Sequence, residues 1–600
     1  MGPLSFLRAE RSPRLTSTAR FPLSAALSLA VILGGLLLTL AWLLPGHYLP
    51  WPLFQQEFVA ALAGLMFCAA VAQARAPARW PFIALAALGL AAVPWLQFAA
   101  GQIRFLDDAL LPSCYLLGFS LSVTVGASLA ASARSTIGSQ FVEALTASFV
   151  AAGILATGMA TVQWLDLPSV GEWLEHLPPR NRPHANLGQP NHLASVLALA
   201  VAGTLRWHEV RRIGAFACGL TLTWLGWGIA ITQSRTGWVF VVLLTLGCLL
   251  LHRRAGLRVA PWAPLAGLAG FVAVVLTQGP LQTMWQLDPL AGDATPPLRT
   301  AAGTRLMHWE LLADAVTRAP LVGYGFNQVS HAQFALAPGH AASGENILHG
   351  HNLALDLAVY AGAPIAVAIV ALLLVWIVRG LRLCRDGPTW FLWAGLLALL
   401  VHALLEYPLH YTYFLLPAGF LIGLLHDPQR DSAWIRPSAS PASLWAPGLA
   451  LAGMLAWIGV EYMHTEEALR RLRFAQARIG AVRLEQLSSP DVHLLRGWKA
   501  YHDASRLKLR PDMPEQELQL LRDVARRYTY APALQRLAFA LVMNGQLGEA
   551  RSVLSVLCRI HPPFVVEAVR EFWAERQMHE PPLRAMDFEP CDRFSVPASP

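Results

Sequence analysis

The sequence predicts an all-α, polytopic membrane protein with about 13 transmembrane helices, a long outer loop and a C-terminal helical domain. The 600 residues are 55% hydrophobic and only 14% charged, whereas an ordinary soluble protein has about 25% charged residues. Apolar runs long enough to cross a bilayer recur through the first three quarters of the chain. The last part of the chain is charged and has a helical pattern, so it is predicted to lie outside the membrane.

The apolar runs give the predicted membrane spans. They are 22–44, 53–73, 80–100, 109–132, 141–162, 189–206, 213–231, 236–251, 263–278, 352–378, 389–405, 411–426 and 443–462. The first run is too long for the apolar part of a signal peptide and is interpreted as a helix that stays in the membrane. The chain then divides into an N-terminal tail at 1–21, a membrane domain at 22–462 and a C-terminal tail at 463–600.

The charges of the loops predict the orientation. Every second loop, counted from the N-terminus, is basic; this set holds Arg8, Arg11, Arg14 and Arg20, Arg75 and Arg79, Arg134, Arg206 with Arg211 and Arg212, Arg253 with Arg254 and Arg258, Arg379 with Arg382 and Arg385, and Arg430 with Arg436. The alternate loops, including the large one at 279–351, contain few Lys or Arg. The positive-inside rule predicts that the N-terminal tail is cytoplasmic and that the large loop and the C-terminal tail are outside.

Charge and cysteine content exclude other classes of protein. The net charge is +8, but the basic residues alternate between loops and form no stripe with interleaved aromatics, so no nucleic-acid partner is expected. The seven Cys show no metal-binding spacing. Cys558 and Cys591 are the only plausible disulfide pair, and whether they join is left open by the sequence.

The C-terminal tail is predicted to be helical. Apolar residues recur at three- and four-residue steps, as in an amphipathic helix; they are Leu469, Leu472, Ala475, Ile479 and Val482. Segment 530–557 resembles one tetratricopeptide unit. A single unit does not make a solenoid, so a small helical bundle is an equal alternative.

The motif HGHN, His349 to Asn352, lies where the large loop enters a span. Asp356 follows within the apolar run, where an ionisable side chain needs a partner or water. Histidine suits proton abstraction near neutral pH. A metal site is not expected, because His349 and His351 would point to different faces of a helix and no HExxH or CxxC accompanies them.

Three further motifs carry polar groups at the predicted outer face. The stretch RPHANLGQPNHLAS places Gln189, Asn191 and His192 at a helix start, where backbone N–H groups favour anions. TQSRTGW places Arg235 in a short turn near membrane depth; snorkelling is one interpretation and pairing with a phosphate is the other. In LLEYPLHYTYF, Glu406 and Tyr407 suggest a polar site. We expect Tyr411 and Tyr413, in the same motif, to belong to an interfacial aromatic belt.

All four motifs fall on one predicted face of the membrane, and they combine guanidinium, amide and imidazole groups. This combination suits a lipid-borne substrate that carries phosphate. No Walker loop, DxD motif or GxSxG elbow is present. A transporter is the rival from another class, but it should hold its polar residues near the middle of the membrane.

The motifs match a known family. HN, followed by nine residues and then Gly362, resembles the motif of bacterial O-antigen ligases, and RPHANLGQPNHLAS, QSRTGW and LLEYPL are similar to the PglL-type protein O-oligosaccharyltransferases. The resemblance implies a multi-pass protein of the bacterial inner membrane with its active site facing the periplasm. It also implies a glycosyltransferase that needs no metal or other cofactor.

The resemblance further implies a reaction. A preassembled glycan would pass en bloc from undecaprenyl diphosphate to a Ser or Thr hydroxyl of a periplasmic protein such as a pilin. His351 would be the catalytic residue, Gln189 and Tyr407 would be needed for activity, and Arg235 and Arg305 would hold the diphosphate. The predicted substrate-binding set also includes Asn191, His192, His349, Asn352 and Glu406. The alternatives are an O-antigen ligase that acts on lipid A core and a Wzy-type polymerase.

Overall fold

The computed structural model describes residues 21–74, 77–131, 136–167, 171–178, 181–284, 303–426, 435–440 and 442–588. Several predicted features lie outside these residues: the cytoplasmic tail except for its last residue, the arginines Arg75, Arg134 and Arg430, and Cys591. Cys558 lies within them and is disulfide-bonded.

The described chain is almost entirely helical. The helices are α1 (Phe21–Leu43), α2 (Phe54–Gln73), α3 (Phe82–Leu90), α4 (Val93–Ala99), α5 (Leu106–Ala131), α6 (Thr136–Trp164), α7 (Pro190–Glu209), α8 (Ala215–Ile231), α9 (Arg235–Ala255), α10 (Ala263–Met284), α11 (Arg305–Arg318), α12 (Val329–Leu336), α13 (Leu353–Ala361), α14 (Ala363–Leu383), α15 (Gly387–Ala403), α16 (Thr412–Leu424), α17 (Ala442–Gln476), α18 (Arg496–Arg506), α19 (Glu515–Arg527), α20 (Ala531–Met543), α21 (Leu547–Ile560) and α22 (Pro563–His579). The all-α prediction misses one small antiparallel sheet, formed by β1 (Ala78–Pro81) and β2 (Ile435–Ala439).

The protein is a multi-pass membrane protein. Each predicted span corresponds to one helix or to two consecutive ones, and within the described residues eight segments are long and apolar enough to cross a membrane. Helix α7 is not one of these eight segments, because its mean hydropathy is too low. It is packed among α6, α8, α9 and α15, so its polar residues face protein rather than lipid.

The helices differ from the predicted spans in three details. The span at 80–100 begins as strand β1 and is then broken into α3 and α4, and the span at 352–378 is broken between α13 and α14. Helix α17 continues past the predicted domain boundary at 462 and ends at Gln476. Ile479 and Val482 therefore lie beyond the amphipathic helix, and both are exposed.

Helix α7 relates the predicted site to the basic loops. At one end of this 20-residue helix, Asn191 contacts Ser234 at the start of α9 and Glu406 after α15. At the other end, Glu209 accepts a hydrogen bond from the backbone N–H of Arg258, in a basic loop. At about 1.5 Å per residue, these ends are roughly 30 Å apart. We call them the site end and the basic end.

The C-terminal tail forms its own core from helices α18 to α22 and docks at the site end. Helices α20 and α21 form a helix hairpin over the segment that resembles a tetratricopeptide unit, and Gly545 turns the chain between them with a φ of +76°. Where the tail docks on the membrane domain, Asp107 at the start of α5 accepts a hydrogen bond of 2.9 Å from the backbone N–H of Gly497. Thr529 also bonds to Asn346, in the loop that leads into the HGHN motif, at 2.6 Å.

Candidate active site

Glu406 is the side chain at which the predicted motifs meet. It is 3% exposed. Its Oε1 accepts a hydrogen bond from Asn191 Nδ2 at 3.0 Å and pairs with the guanidinium of Arg305. The other oxygen, Oε2, lies 3.6 Å from Nε2 of His351. A buried carboxylate requires such partners, and this one joins parts of the chain as far as 215 residues apart.

His351 has an unusual backbone conformation and a partly open side chain. Its φ of +55° lies in the left-handed region, which costs a residue with a side chain of order 1–3 kcal/mol. The side chain is 24% exposed, and within the described residues its buried Nδ1 has no hydrogen-bond partner. Thus Nε2 faces the carboxylate of Glu406 and Nδ1 is uncommitted, as in a general base that a carboxylate orients.

The HGHN loop is fixed by Asp356, which is 1% exposed. Its Oδ1 accepts the backbone N–H of Gly350 at 2.6 Å, and its Oδ2 lies 3.4 Å from Nε2 of His410. The ring of His410 packs 4.0 Å from that of His349, whose Nδ1 lies 3.2 Å from the hydroxyl of Tyr360. Burial, and then the neighbouring His410, lower the pKa of His349 well below its ordinary value. His349 is therefore neutral at neutral pH.

Asn352 caps helix α13. Its Oδ1 accepts hydrogen bonds from the backbone N–H groups of Ala354 and Leu355, at 3.1 and 3.2 Å, and its Nδ2 donates to the carbonyl of Leu404 at 3.1 Å. An asparagine cap satisfies N–H groups that a helix start leaves unpaired. The side chain thus fixes the end of the HGHN loop against the segment that carries Glu406.

Gly362 ends the same helix, and its position explains the spacing of the motif. Its φ is +85°, and a Cβ there would lie 2.2 Å from the carbonyl oxygen of Leu321. Next to it, the N–H of Ala363 donates to the carbonyl of Pro320 at 2.8 Å. The nine residues between Asn352 and Gly362 are helix α13 itself, so the motif joins the site to a close contact with the large loop.

A cavity of about 830 Å³ lies beside the HGHN loop. Its polar wall includes Gln189, His192, His349 and Tyr407, and apolar side chains of α3, α5 and α14 form much of the remainder. Burial, and then the charge of Glu406, raise the pKa of Tyr407 to about 12, so its hydroxyl remains a hydrogen-bond donor. Tyr407 also packs edge-on against His351, with ring centroids 4.9 Å apart.

The catalytic residue predicted from the sequence is not itself part of the cavity wall. His351, Arg305 and Glu406 are absent from the lining, and Tyr407 links them to it. Arg235 is exposed as the first residue of α9. It is next in sequence to Ser234, whose Oγ donates to Asn191 Oδ1 at 2.7 Å.

The structure corrects the interpretation of two tyrosines. Tyr413 is completely buried within the protein, and Tyr411 lines the cavity. Their rings stack with centroids 5.3 Å apart, and the ring of Tyr411 lies 4.8 Å from that of His192. Neither tyrosine belongs to a lipid-facing belt, because both face helix partners at the site end.

Several site residues were missing from the predicted set. Asp356 and His410 brace the HGHN loop; the sequence analysis noted Asp356 as an ionisable residue in an apolar run, and His410 lies in the motif LLEYPLHYTYF. Glu57 lines the cavity from α2, where it accepts a hydrogen bond from the hydroxyl of Tyr115 at 2.5 Å. The tail contributes Trp498, Arg527, Tyr528 and Tyr530 to the cavity wall, and no local pattern in the sequence indicated this.

The structure thus combines the helix bundle of a multi-pass membrane protein with a site at one end of it, where His351 lies beside the buried carboxylate of Glu406. Comparison with known proteins identifies its kind. The chain matches the family models described as "O-antigen ligase" at residues 220–370, "protein glycosylation ligase" at 183–207 and "virulence factor membrane-bound polymerase, C-terminal" at 390–564.

Two relatives from Acinetobacter baylyi are similar to the chain. It is 29% identical to a general O-oligosaccharyltransferase over 573 residues, which is 92% of this chain and 96% of the relative. It is 29% identical to a ComP-specific O-oligosaccharyltransferase over 251 residues, which is 41% of this chain and 44% of the relative. The chain is thus similar to the O-antigen ligase family and, within it, to the PglL-type protein O-oligosaccharyltransferases. It is an oligosaccharyltransferase and therefore a glycosyltransferase.

Proposed function

We propose that this enzyme transfers a preassembled oligosaccharide en bloc from undecaprenyl diphosphate to Ser or Thr hydroxyls of periplasmic proteins such as pilins. The observation that carries the proposal is the contact between His351 and Glu406, 3.6 Å apart, with Arg305 on the same carboxylate. A proton acceptor and a cation therefore lie side by side, as a transfer from a lipid diphosphate requires.

In the proposed reaction, the imidazole of His351 takes the proton of the acceptor hydroxyl while the hydroxyl oxygen bonds to the anomeric carbon of the glycan. The bond from that carbon to the diphosphate oxygen breaks, and undecaprenyl diphosphate leaves with the electron pair. Arg305 and Arg235 neutralise the charge that develops on it. Glu406 stabilises the imidazolium of His351.

The proposed orientation has the site facing the periplasm. It is supported by the separation of the site end from the basic end, since basic loops are retained in the cytoplasm. A second support is the disulfide at Cys558 in the tail, because disulfides persist in oxidising compartments such as the periplasm. The tail lines the same cavity as the HGHN loop, so both belong to one side of the membrane.

The test is the substitution His351→Ala in cells that produce the glycan and an acceptor protein. We expect the glycosylated form of the acceptor to disappear on gels and in mass spectra, while the variant still inserts in the membrane. The control is His493→Ala, since His493 is an exposed histidine of the tail. Retained glycosylation in His351→Ala would refute the assignment. Altered lipopolysaccharide ladders with unchanged acceptor protein would favour an O-antigen ligase or a polymerase.

A further inference from the structure

The part of the cavity wall that the tail supplies is aromatic. Trp498 comes from α18, and Tyr528 and Tyr530 come from the short connection between α19 and α20. The ring of Tyr528 lies 4.8 Å from that of Trp498 and 6.2 Å from that of Tyr530. Tyr528 is buried, whereas Trp498 and Tyr530 are only half-buried, and all three residues line the cavity. We call these three residues the aromatic rim.

The rim offers no free charge for an anion. Arg527 is the only Lys or Arg among the described residues that line the cavity. Its Nη2 lies 2.7 Å from Oδ1 of Asp108, and its Nε bonds to both oxygens of that carboxylate. The same wall carries the carboxyl groups of Glu57 and Asp356. The rim therefore disfavours an anionic ligand.

The rim also offers uncommitted polar groups. Asn327 lines the cavity in a left-handed conformation, with a φ of +58°. Within the described residues, neither its amide nor the hydroxyl of Tyr530 takes part in a hydrogen bond. Half-buried aromatic rings with a few free hydrogen-bonding groups are typical of pockets that bind small ligands.

We propose that the aromatic rim and Asn327 form a saccharide subsite, which holds the sugars of the donor glycan beyond the one whose bond is broken. The inference rests on the proposed function, because it assigns a place to the glycan of the lipid-linked donor. Sugars present C–H faces that pack on aromatic rings and hydroxyls that bond to amide and phenol groups. Their neutrality fits a wall in which the one guanidinium is already paired.

The experiment compares two donors with the purified full-length enzyme and a soluble pilin-like acceptor. One is undecaprenyl diphosphate carrying a single N-acetylhexosamine, and the other carries a trisaccharide built on that sugar. For Tyr530→Ala we expect kcat/KM to fall about tenfold with the trisaccharide donor, as expected for the loss of one stacked ring, and to stay unchanged with the monosaccharide donor. Asn327→Gly removes the amide without backbone strain and should show the same selective loss.

The matched control is Tyr501→Ala. Tyr501 packs in the same aromatic group, 6.0 Å from Tyr530 and 5.6 Å from Tyr528, but it does not line the cavity. We expect equal activity of this variant and the wild type on both donors. Equal losses with both donors, no loss with either, or a raised KM for the acceptor alone would overturn the subsite. If the wild-type enzyme transfers from neither donor, the proposed function itself fails.

Discussion

Substitution of Glu406 by glutamine tests whether one buried carboxylate organises the site. Glutamine keeps the size of the side chain and an oxygen that can accept from Asn191. It removes the negative charge that faces Nε2 of His351 at 3.6 Å and pairs with Arg305. The predicted result is a folded protein with a slow chemical step, because the imidazolium formed in the reaction loses its counter-charge.

The size of the effect follows from the geometry. Two unit charges at about 4 Å interact by roughly 4 kcal/mol at the effective dielectric constant found near protein surfaces. Since Glu406 is 3% and His351 24% exposed, solvent screens only part of this interaction. We expect a rise of about 2–4 kcal/mol in the activation barrier, which corresponds to roughly 30- to 1,000-fold in kcat.

The assay is single-turnover transfer by purified enzyme at saturating donor, with thermal unfolding measured in parallel. The control is Glu143→Gln, which removes the carboxylate of another ion pair with arginine: Glu143 Oε1 lies 3.0 Å from Nη1 of Arg206. That pair lies at the basic end, so we expect a comparable change in stability with kcat intact. A wild-type kcat in folded Glu406→Gln would contradict the role of this carboxylate.

The remaining predictions concern the supports of the site. Asp356→Ala should leave the N–H of Gly350 without an acceptor and cost about 1–3 kcal/mol in the free energy of unfolding, measured by thermal unfolding together with a fall in kcat. Asp108→Ala should leave the charge of Arg527 unpaired, at a cost of about 3–5 kcal/mol, so limited proteolysis should attack the tail before the membrane domain. Because the pKa of His349 is lowered in the folded protein, the unfolded chain alone binds a proton below about pH 6.5. Stability should therefore fall with decreasing pH in that range, by up to about 1.4 kcal/mol per unit, and His349→Gln should flatten this slope in unfolding measurements made from pH 7.5 to 5.

The helices could be predicted from the sequence because their signal is local. A run of about 20 apolar residues is recognised without knowledge of its neighbours, and every predicted span contains helix. The breaks were harder to foresee. Gly362 interrupts its span because the backbone of Leu321 occupies the space that a Cβ at position 362 would need. This contact depends on a distant part of the chain.

The centre of the site could be predicted only in part. The four motifs were expected at one face of the membrane, and Glu406 does contact Asn191, Arg305 and His351. The sequence did not indicate that one carboxylate would join them, since these pairings span 55 to 215 residues. The aromatic rim left no signal at all, because its three rings acquire a shared role only when the tail docks on α5.

The distribution of charge indicates where the diphosphate and the glycan of the donor would lie. Arg305 and Arg235 do not line the cavity, while the guanidinium of Arg527, which does, is neutralised by Asp108. A diphosphate that entered the cavity would lose hydration without gaining a free cation, at a cost of several kcal/mol. In the proposed reaction the diphosphate therefore remains beside Arg305, whose guanidinium pairs with Glu406 through one nitrogen and is still 27% exposed, while the neutral glycan extends past Tyr407 into the cavity. The bond that breaks then lies between them, where His351 packs against the ring of Tyr407.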